Sequence, residues 1–391
     1  MDPPHPTKIA ESKLPLAPDE LSVDWLNWAL GEFTANNPIV GFEKETIGVG
    51  AGFMGQLARL TIEYARHHES APRHIVAKFA SASSQTREMA RNQSYYQREI
   101  SFYEDIGSEV GIPVAACYFS AHVEETNHFV LLLEDMSPAV ASDQVSGTSE
   151  TDSEWVIETI AKLHAKWWNS ERLANYSWAQ PIFNEIPMEL GLEMIHKAIE
   201  DAETKGTFDT YPEIKRLMKM LPPLFSMKPP APFPFTLIHG DLRSDNVFCP
   251  TSDGGRYGLI DWQLSGMGQP ATDLVRWLTQ SITVAQRQKT EQDLLKLYHR
   301  RLLEYGVTGY TFKQLMKDYQ LNLVVILLMF SNSMDDIDKS EERSKAVLDV
   351  MYKRLDAALL DWKTVNLLRV LPYMIPFLKL SAYFRSALGR K

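Results

Sequence analysis

Four polar side chains stand at fixed offsets in residues 237–263, LIHGDLRSDNVFCPTSDGGRYGLIDWQ. His239, Asp241 and Asn246 come before a turn, and Asp261 ends the short apolar stretch that follows it. We predict a β-hairpin here, and because the ends of a hairpin meet, Asn246 and Asp261 should be neighbours. An amide oxygen beside a carboxylate suits a hard cation such as Mg²⁺. Asp241 would face the same space and accept a proton from a substrate hydroxyl, which completes the parts that phosphoryl transfer needs.

The stretch HGDLRSDN resembles the catalytic loop of the aminoglycoside phosphotransferase and choline kinase-like superfamily, which has a protein-kinase-like fold. IDWQ resembles its metal-binding motif, and Gln263 makes it similar to the branch that contains ecdysteroid-kinase-like proteins. The resemblance implies ATP and Mg²⁺ as cofactors, Asp241 as the catalytic base, and Asn246 and Asp261 as metal ligands. Arg243 lies where protein kinases carry a lysine near the transferred phosphate. It is a candidate for stabilising the transition state, or else it pairs with a neighbouring acid.

The resemblance extends to the N-terminal part of the chain. The superfamily has a glycine-rich turn between its first two strands, where backbone N–H groups approach phosphates closely, and IGVGAGFMG supplies one. The third strand carries a lysine, here Lys78 in HIVAKFA, which a helix glutamate, here Glu99 in YYQREISFY, holds on the nucleotide phosphates. Glu88 is the competing partner for this lysine. The glycines assigned to the nucleotide site are Gly48, Gly50, Gly52 and Gly55.

Other segments of the chain fit the same pattern. FVLLLEDM resembles the hinge strand, where the backbones of Glu134 and Met136 would bind adenine. His164 in IAKLHAKWW is expected to be buried and structural. Asp273 in QPATDLVRWL resembles an aspartate that caps a helix and braces the catalytic loop.

Alternating and helical hydrophobic patterns predict the elements that must position these residues. With the resemblance they predict an α+β, bilobal fold, with a small antiparallel-sheet lobe and a larger, mostly helical lobe. The strands are expected at 42–49, 56–64, 74–80, 113–121 and 128–134, and a helix at 87–106. Thr151 and Glu154 fit a capping box that starts the next helix. The predicted divisions are an arm and helix at 1–40, the nucleotide-binding sheet at 41–134, a hinge and linker at 135–150, and the helical lobe at 151–391.

Composition limits the possible classes of function. The chain of 391 residues has 40 Lys and Arg against 50 Asp and Glu, a formal charge of −10, which argues against a nucleic-acid binder that works through overall basicity. Its two cysteines, Cys117 and Cys249, form neither a disulfide framework nor a CxxC metal site. The expected location is the cytoplasm, with no signal peptide and no membrane span, since the longest apolar run is Leu323 to Phe330.

The sequence therefore favours a small-molecule kinase that phosphorylates an alcohol, with two alternatives. One is a catalytically silent nucleotide-binding module that regulates a partner, although the base, the metal aspartate and the lysine are all retained. The other is a protein kinase, which is disfavoured because Gly240 replaces the arginine of the protein-kinase loop and no APE-like segment is present.

The acceptor stays open among antibiotics, choline-like amines, sterol-type alcohols and sugars. The acidic run 334–343 is a solvated turn or part of an acceptor pocket, and the apolar, basic tail from Asn366 packs on the helical lobe, a partner or a membrane surface.

Overall fold

A computed structural model describes residues 14–48, 55–67, 71–180, 211–222, 234–333 and 342–368, with scattered residues between 193 and 210. It confirms the predicted α+β class, with a five-stranded antiparallel sheet followed by a mostly helical remainder. Gly50, Gly52, most of the acidic run (334–341) and the tail from residue 369 onward lie outside the described residues.

The main sheet has the strand order β1-β2-β3-β5-β4, and every neighbouring pair is antiparallel. Its strands are β1 Ile39–Ile47, β2 Gly55–Tyr64, β3 His74–Ala80, β4 Cys117–Val123 and β5 His128–Glu134. Five shorter strands belong to smaller sheets: β6 Val140–Ala141, β7 Thr236–Ile238, β8 Val247–Cys249, β9 Gly258–Leu259 and β10 Gly266–Gly268. The predicted strand at 113–121 therefore begins four residues later, because Pro113 and Val114 pair with Leu259 instead.

The α-helices before the linker are α1 Val23–Ala29, α2 Gly31–Thr34, α3 Ser84–Asn92 and α4 Tyr95–Asp105. Those after it are α5 Glu150–Lys166, α6 Glu171–Ala174, α7 Pro212–Met218, α8 Pro270–Gln280, α9 Val284–Glu304, α10 Phe312–Ser333 and α11 Glu342–Asp361. In the described part of the chain, no helix combines the length and the apolar character that crossing a membrane demands.

Two helix predictions need correction. The single helix expected at 87–106 is two helices, because Ser94 adopts a left-handed backbone with φ of 57° and interrupts the hydrogen-bond ladder. The residue that caps α5 is Ser149, two residues before the predicted cap Thr151, since the extended Ser149 accepts a hydrogen bond from the Asp152 N–H.

The period of two in β3 assigns its side chains to opposite faces of the sheet. Ile75, Ala77 and Phe79 belong to an outer core with Leu26 of α1. The residues between them face the other way, toward α4, and Lys78 is one of these. The larger core lies on that inner side and joins α4, β5 and the helices after the linker.

Helix α8 is the centre of the helical part, since every residue from Pro270 to Gln280 is buried. It packs against α10, α11 and β7. A helix buried on all sides has little freedom to move, so the polar side chains that it carries are fixed in place.

Candidate active site

Lys78 lies at the centre of an ion-pair cluster between the sheet and the helical part. Its Nζ is 2.8 Å from Oε1 and 2.7 Å from Oε2 of Glu99 on α4, and 3.0 Å from Oδ1 of Asp261. Glu88, the competing candidate, forms a looser pair with Arg91 at 3.6 Å. Residues 78, 99 and 261 thus meet although the last is 183 positions from the first.

Burial and charge act against each other in this cluster. Burial opposes the charged form of Lys78, but the carboxylates of Asp261 and Glu99 outweigh it and raise the pKa of the amine. Burial raises the pKa of Glu99, and only the adjacent Lys78 counters that effect. The lysine is therefore a fixed positive charge, suited to an anionic ligand such as a phosphate.

The predicted hairpin is present and brings the ends of its strands together. Strands β8 and β9 pair antiparallel, and just beyond them the Ile260 N–H donates to the Asn246 carbonyl at 3.1 Å. Asp261 follows with a left-handed φ of 65°, which directs the chain out of the strand. Its Oδ2 accepts a 3.4 Å contact from Nε2 of Gln263, the residue that marks the IDWQ motif.

Asp241 is only 4% exposed, and both of its carboxylate oxygens have partners. Oδ1 forms an ion pair with Nη2 of Arg276, and Oδ2 accepts from Nδ2 of Asn246 at 3.0 Å and lies 3.4 Å from Nε of Arg243. Burial alone would raise the pKa of Asp241, but the two guanidinium groups lower it to about 2. This carboxylate is ionised throughout the physiological pH range.

Sequence reasoning missed Arg276. The signal that could have found it is its position three residues after Asp273, on the same face of a predicted helix. Arg243 is half-buried and pairs with Asp245 at 3.2 Å as well as with Asp241, and it donates to Oε1 of Gln144 at 3.1 Å. The alternative that it pairs with neighbouring acids is therefore observed in this arrangement.

Asp273 braces the backbone of the loop before Asp241. It accepts from the N–H groups of His239 at 2.8 Å and Gly240 at 2.9 Å, and His164 lies 3.2 Å from its Oδ2. His164 is fully buried and also contacts the Tyr298 hydroxyl at 2.7 Å, so the expectation of a structural histidine is met.

Gly240 has no room for a side chain. Its φ is 78°, and a Cβ atom there would lie 2.0 Å from the Leu264 carbonyl oxygen. The residue that replaces the protein-kinase arginine thus allows the loop of residues 239–246 to approach the segment after Asp261 closely.

The predicted nucleotide contacts are described in part. Gly48 has a φ of 70°, as a turn between β1 and β2 requires, whereas Gly55 already belongs to β2, where a Cβ would lie 2.4 Å from the Phe79 carbonyl oxygen. At the hinge, the backbone N–H of Met136 donates no backbone hydrogen bond to another described residue. The Glu134 side chain accepts from the Ala116 N–H at 3.0 Å and pairs with Arg256, and the Glu134 N–H donates to the Ala116 carbonyl at 2.8 Å, so only the backbone carbonyl of Glu134 would serve adenine.

The donor set fits Mg²⁺ bound together with phosphates. Asn246 uses Nδ2 for Asp241, which leaves its Oδ1 without a hydrogen bond in the described part of the chain, and its backbone carbonyl contacts Ile260, the residue before Asp261. No group of three or more His, Cys, Asp or Glu side chains in the described ranges is arranged to hold a metal by itself. Mg²⁺ commonly takes one or two carboxylates and completes its shell with water and phosphate oxygens, so Asp261 with Asn246 is sufficient for that mode.

A model of the ecdysteroid kinase-like family matches residues 49–307, well over half of the chain. The chain belongs to the ecdysteroid kinase-like family. The matched range includes most of the glycine-rich turn, Lys78, Glu99, the hairpin of β8 and β9, and α8, and the family predicted from HGDLRSDN and IDWQ is confirmed.

The individual proteins that resemble this ecdysteroid kinase-like protein share only a small part of its sequence. An uncharacterized kinase-like protein of Caenorhabditis elegans is 26% identical over 262 residues, which are 60% of this chain and 65% of that protein. The ethanolamine kinase of Plasmodium vivax is 13% identical with a TM-score of 0.49, and 84% of this chain and 86% of that one are covered. The choline kinase LicA of Streptococcus pneumoniae is 17% identical with a TM-score of 0.45, covering 80% and 93%.

Proposed function

We propose that this protein transfers the terminal phosphoryl group of ATP to a hydroxyl group of a small molecule. The observation that carries the proposal is the meeting of Lys78, Glu99 and Asp261 within 3.0 Å, from a strand, a helix and a hairpin that are distant in sequence. Such a lysine–glutamate pair next to a metal-binding aspartate is the arrangement that phosphoryl transfer requires in kinases.

Each residue of the cluster has a defined task in this proposal. Lys78, held by Glu99, binds nucleotide phosphates, and the amide of Met136 with the backbone carbonyl of Glu134 binds adenine. Asp241 orients the acceptor hydroxyl and takes its proton, while Arg243 offers positive charge beside the transferred group. Asn246 and Asp261 would hold Mg²⁺. When bound, the metal neutralises the charge that develops on the phosphate oxygens.

The acceptor in this proposal is a small alcohol. Asp241 would receive its hydroxyl in a buried position between the catalytic loop and α8, so a protein side chain on a large surface is a poor fit. Cys117 and Cys249 are free thiols, which is consistent with a proposed cytoplasmic, reducing environment.

The test is consumption of labelled ATP with pools of alcohols, together with nucleotide binding by calorimetry with and without Mg²⁺. Asp241→Asn should reduce transfer by about 10²–10⁴-fold and leave nucleotide affinity within a few-fold of wild type. Asp261→Ala should abolish the Mg²⁺-dependent part of nucleotide binding. Asp253→Asn, an exposed carboxylate in the turn of the same hairpin, is the matched control and should change neither quantity.

Three results would contradict the proposal. Wild-type protein that binds no MgATP rules out the nucleotide site, and an Asp241→Asn variant with normal turnover rules out Asp241 as the base. Tight MgATP binding without transfer to any alcohol would favour the silent regulatory module.

A further inference from the structure

Arg276 has a contact that links the buried helix α8 directly to the proposed base. Its guanidinium pairs with Oδ1 of Asp241, and the two residues are 8% and 4% exposed. An ion pair in this position is largely shielded from solvent and salt, so it holds its geometry more firmly than a surface pair does.

The carboxylate of Asp241 is gripped from two sides. Arg276 of α8 holds Oδ1, while Asn246 and Arg243 of the catalytic loop approach Oδ2 at 3.0 and 3.4 Å. Rotation of the carboxylate about its last side-chain bond would break contacts on both sides at once. The plane of the carboxylate is therefore fixed before any acceptor binds. Of these contacts, only the one from Arg276 to Oδ1 comes from outside the catalytic loop.

Two polar side chains of α8 contact consecutive residues of the catalytic loop. Asp273 holds the N–H groups of His239 and Gly240, and one turn later Arg276 holds the side chain of Asp241. Side chains at positions i and i+3 of a helix lie on one face. One helix face thus fixes both the backbone of the loop and the direction of its carboxylate.

We propose that Arg276 is a positioning residue for phosphoryl transfer, acting through Asp241 to aim its carboxylate at the acceptor hydroxyl. The inference rests on the proposed function and adds a residue to it. The competing explanation is that Arg276 only balances the buried charge of Asp241 and so stabilises the fold. The two explanations differ in what removal of Arg276 does to turnover in protein that remains folded.

The activity test measures steady-state hydrolysis of MgATP, with water in the place of the acceptor. Arg276→Met should lower kcat by about 100-fold, the effect expected when a reacting group is misplaced by about 1 Å, and leave the KM for MgATP within about twofold. Arg276→Lys should recover at least part of the loss, since an ammonium group can still reach Oδ1. Thr272→Val is the matched control, because it removes a buried hydrogen bond of the same helix, Thr272 Oγ1 to Asn322 at 2.9 Å, and should leave kcat unchanged.

A double-mutant comparison supplies a second measurement. If Arg276 acts through Asp241, then adding Arg276→Met to Asp241→Asn should lower kcat by no more than about twofold further. In nucleotide-free protein, the change in urea midpoint of the double variant should likewise be smaller than the sum of the changes in the two single variants. If Arg276→Met does not fold, the same comparison is made with Arg276→Lys.

The outcomes separate this inference from the function on which it rests. Wild-type protein that neither binds nor hydrolyses MgATP overturns both. If the wild type is active and Arg276→Met is equally active, the positioning role alone is overturned. The same follows if the losses of kcat in the two single variants add in the double variant. If Thr272→Val lowers kcat as much as Arg276→Met does, and Arg276→Lys recovers none of the activity, the role of Arg276 is only to stabilise the fold.

Discussion

Replacing Asp273 by asparagine should destabilise the protein more than any exposed carboxylate replacement. Asp273 is fully buried, and its two oxygens accept from the backbone N–H groups of His239 and Gly240, with His164 at 3.2 Å. Asparagine keeps one oxygen and puts an NH₂ group in place of the other. One of the two backbone donors, or the histidine, then faces a second donor.

The size of the effect follows from these contacts. An unsatisfied buried donor costs about 1–3 kcal/mol, and hydrogen bonds to a charged group contribute about 1.5–3 kcal/mol each. With the remaining bond weakened by the loss of charge, we expect about 3–5 kcal/mol, as when one partner of a buried charge pair is removed. A loss of this size is a large part of the stability of a typical domain, about 5–15 kcal/mol.

The assay is urea unfolding at pH 7, followed by fluorescence and circular dichroism. Asp293→Asn is the matched control, because Asp293 is exposed and pairs with Lys296 at 2.9 Å on α9; it should change the free energy of unfolding by less than about 1 kcal/mol. If Asp273→Asn lies within about 1 kcal/mol of wild type, the proposed bracing of the loop by this carboxylate is wrong.

The same variant should change the pH dependence of stability. Burial opposes ionisation of Asp273, but its contacts with His164 and His239 prevail and lower its pKa. A carboxyl group whose folded pKa lies below its unfolded value of about 3.9 stabilises the fold above that pH, and the contribution is lost as the pH falls toward the folded pKa. The difference in the free energy of unfolding between wild type and Asp273→Asn should therefore become smaller below about pH 4. A constant gap down to the acid transition would contradict this reasoning.

Three further predictions concern the loop, the lysine and the hinge. Gly240→Ala should cost about 3 kcal/mol or more, since its Cβ would lie 2.0 Å from a carbonyl oxygen; Gly306→Ala, also left-handed but with nothing within 4 Å, should cost about 1–2 kcal/mol in the same urea assay. Lys78→Met should lower kcat for MgATP by at least about 100-fold through misplaced phosphates, and near-normal turnover would remove it from the site. Arg256→Ala breaks a partly exposed pair with the hinge carboxylate and should cost at most about 1 kcal/mol, with nucleotide affinity unchanged; a tenfold change would mean that the hinge side chain binds nucleotide.

Much of the local structure was predictable because it depends on local patterns. The alternation of β2 and β3 is visible in the sequence, and the strand predicted at 74–80 has the observed bounds. The hairpin that joins Asn246 to Asp261 follows from two short apolar stretches around a glycine-rich turn. The break at Ser94 was not visible, because a left-handed residue between two amphipathic helices keeps the helical spacing of apolar residues on both sides.

The sequence by itself determined the motifs, their order along the chain and the family to which the chain belongs. It also determined that Lys78 faces away from the apolar side chains on either side of it, since a strand alternates. Only the tertiary structure decided that Glu99 rather than Glu88 meets this lysine, and that Arg276 grips Asp241. Periodicities of 2 and 3.6 specify which face of an element a residue occupies, whereas the partner of that face depends on how buried elements pack across tens to hundreds of residues.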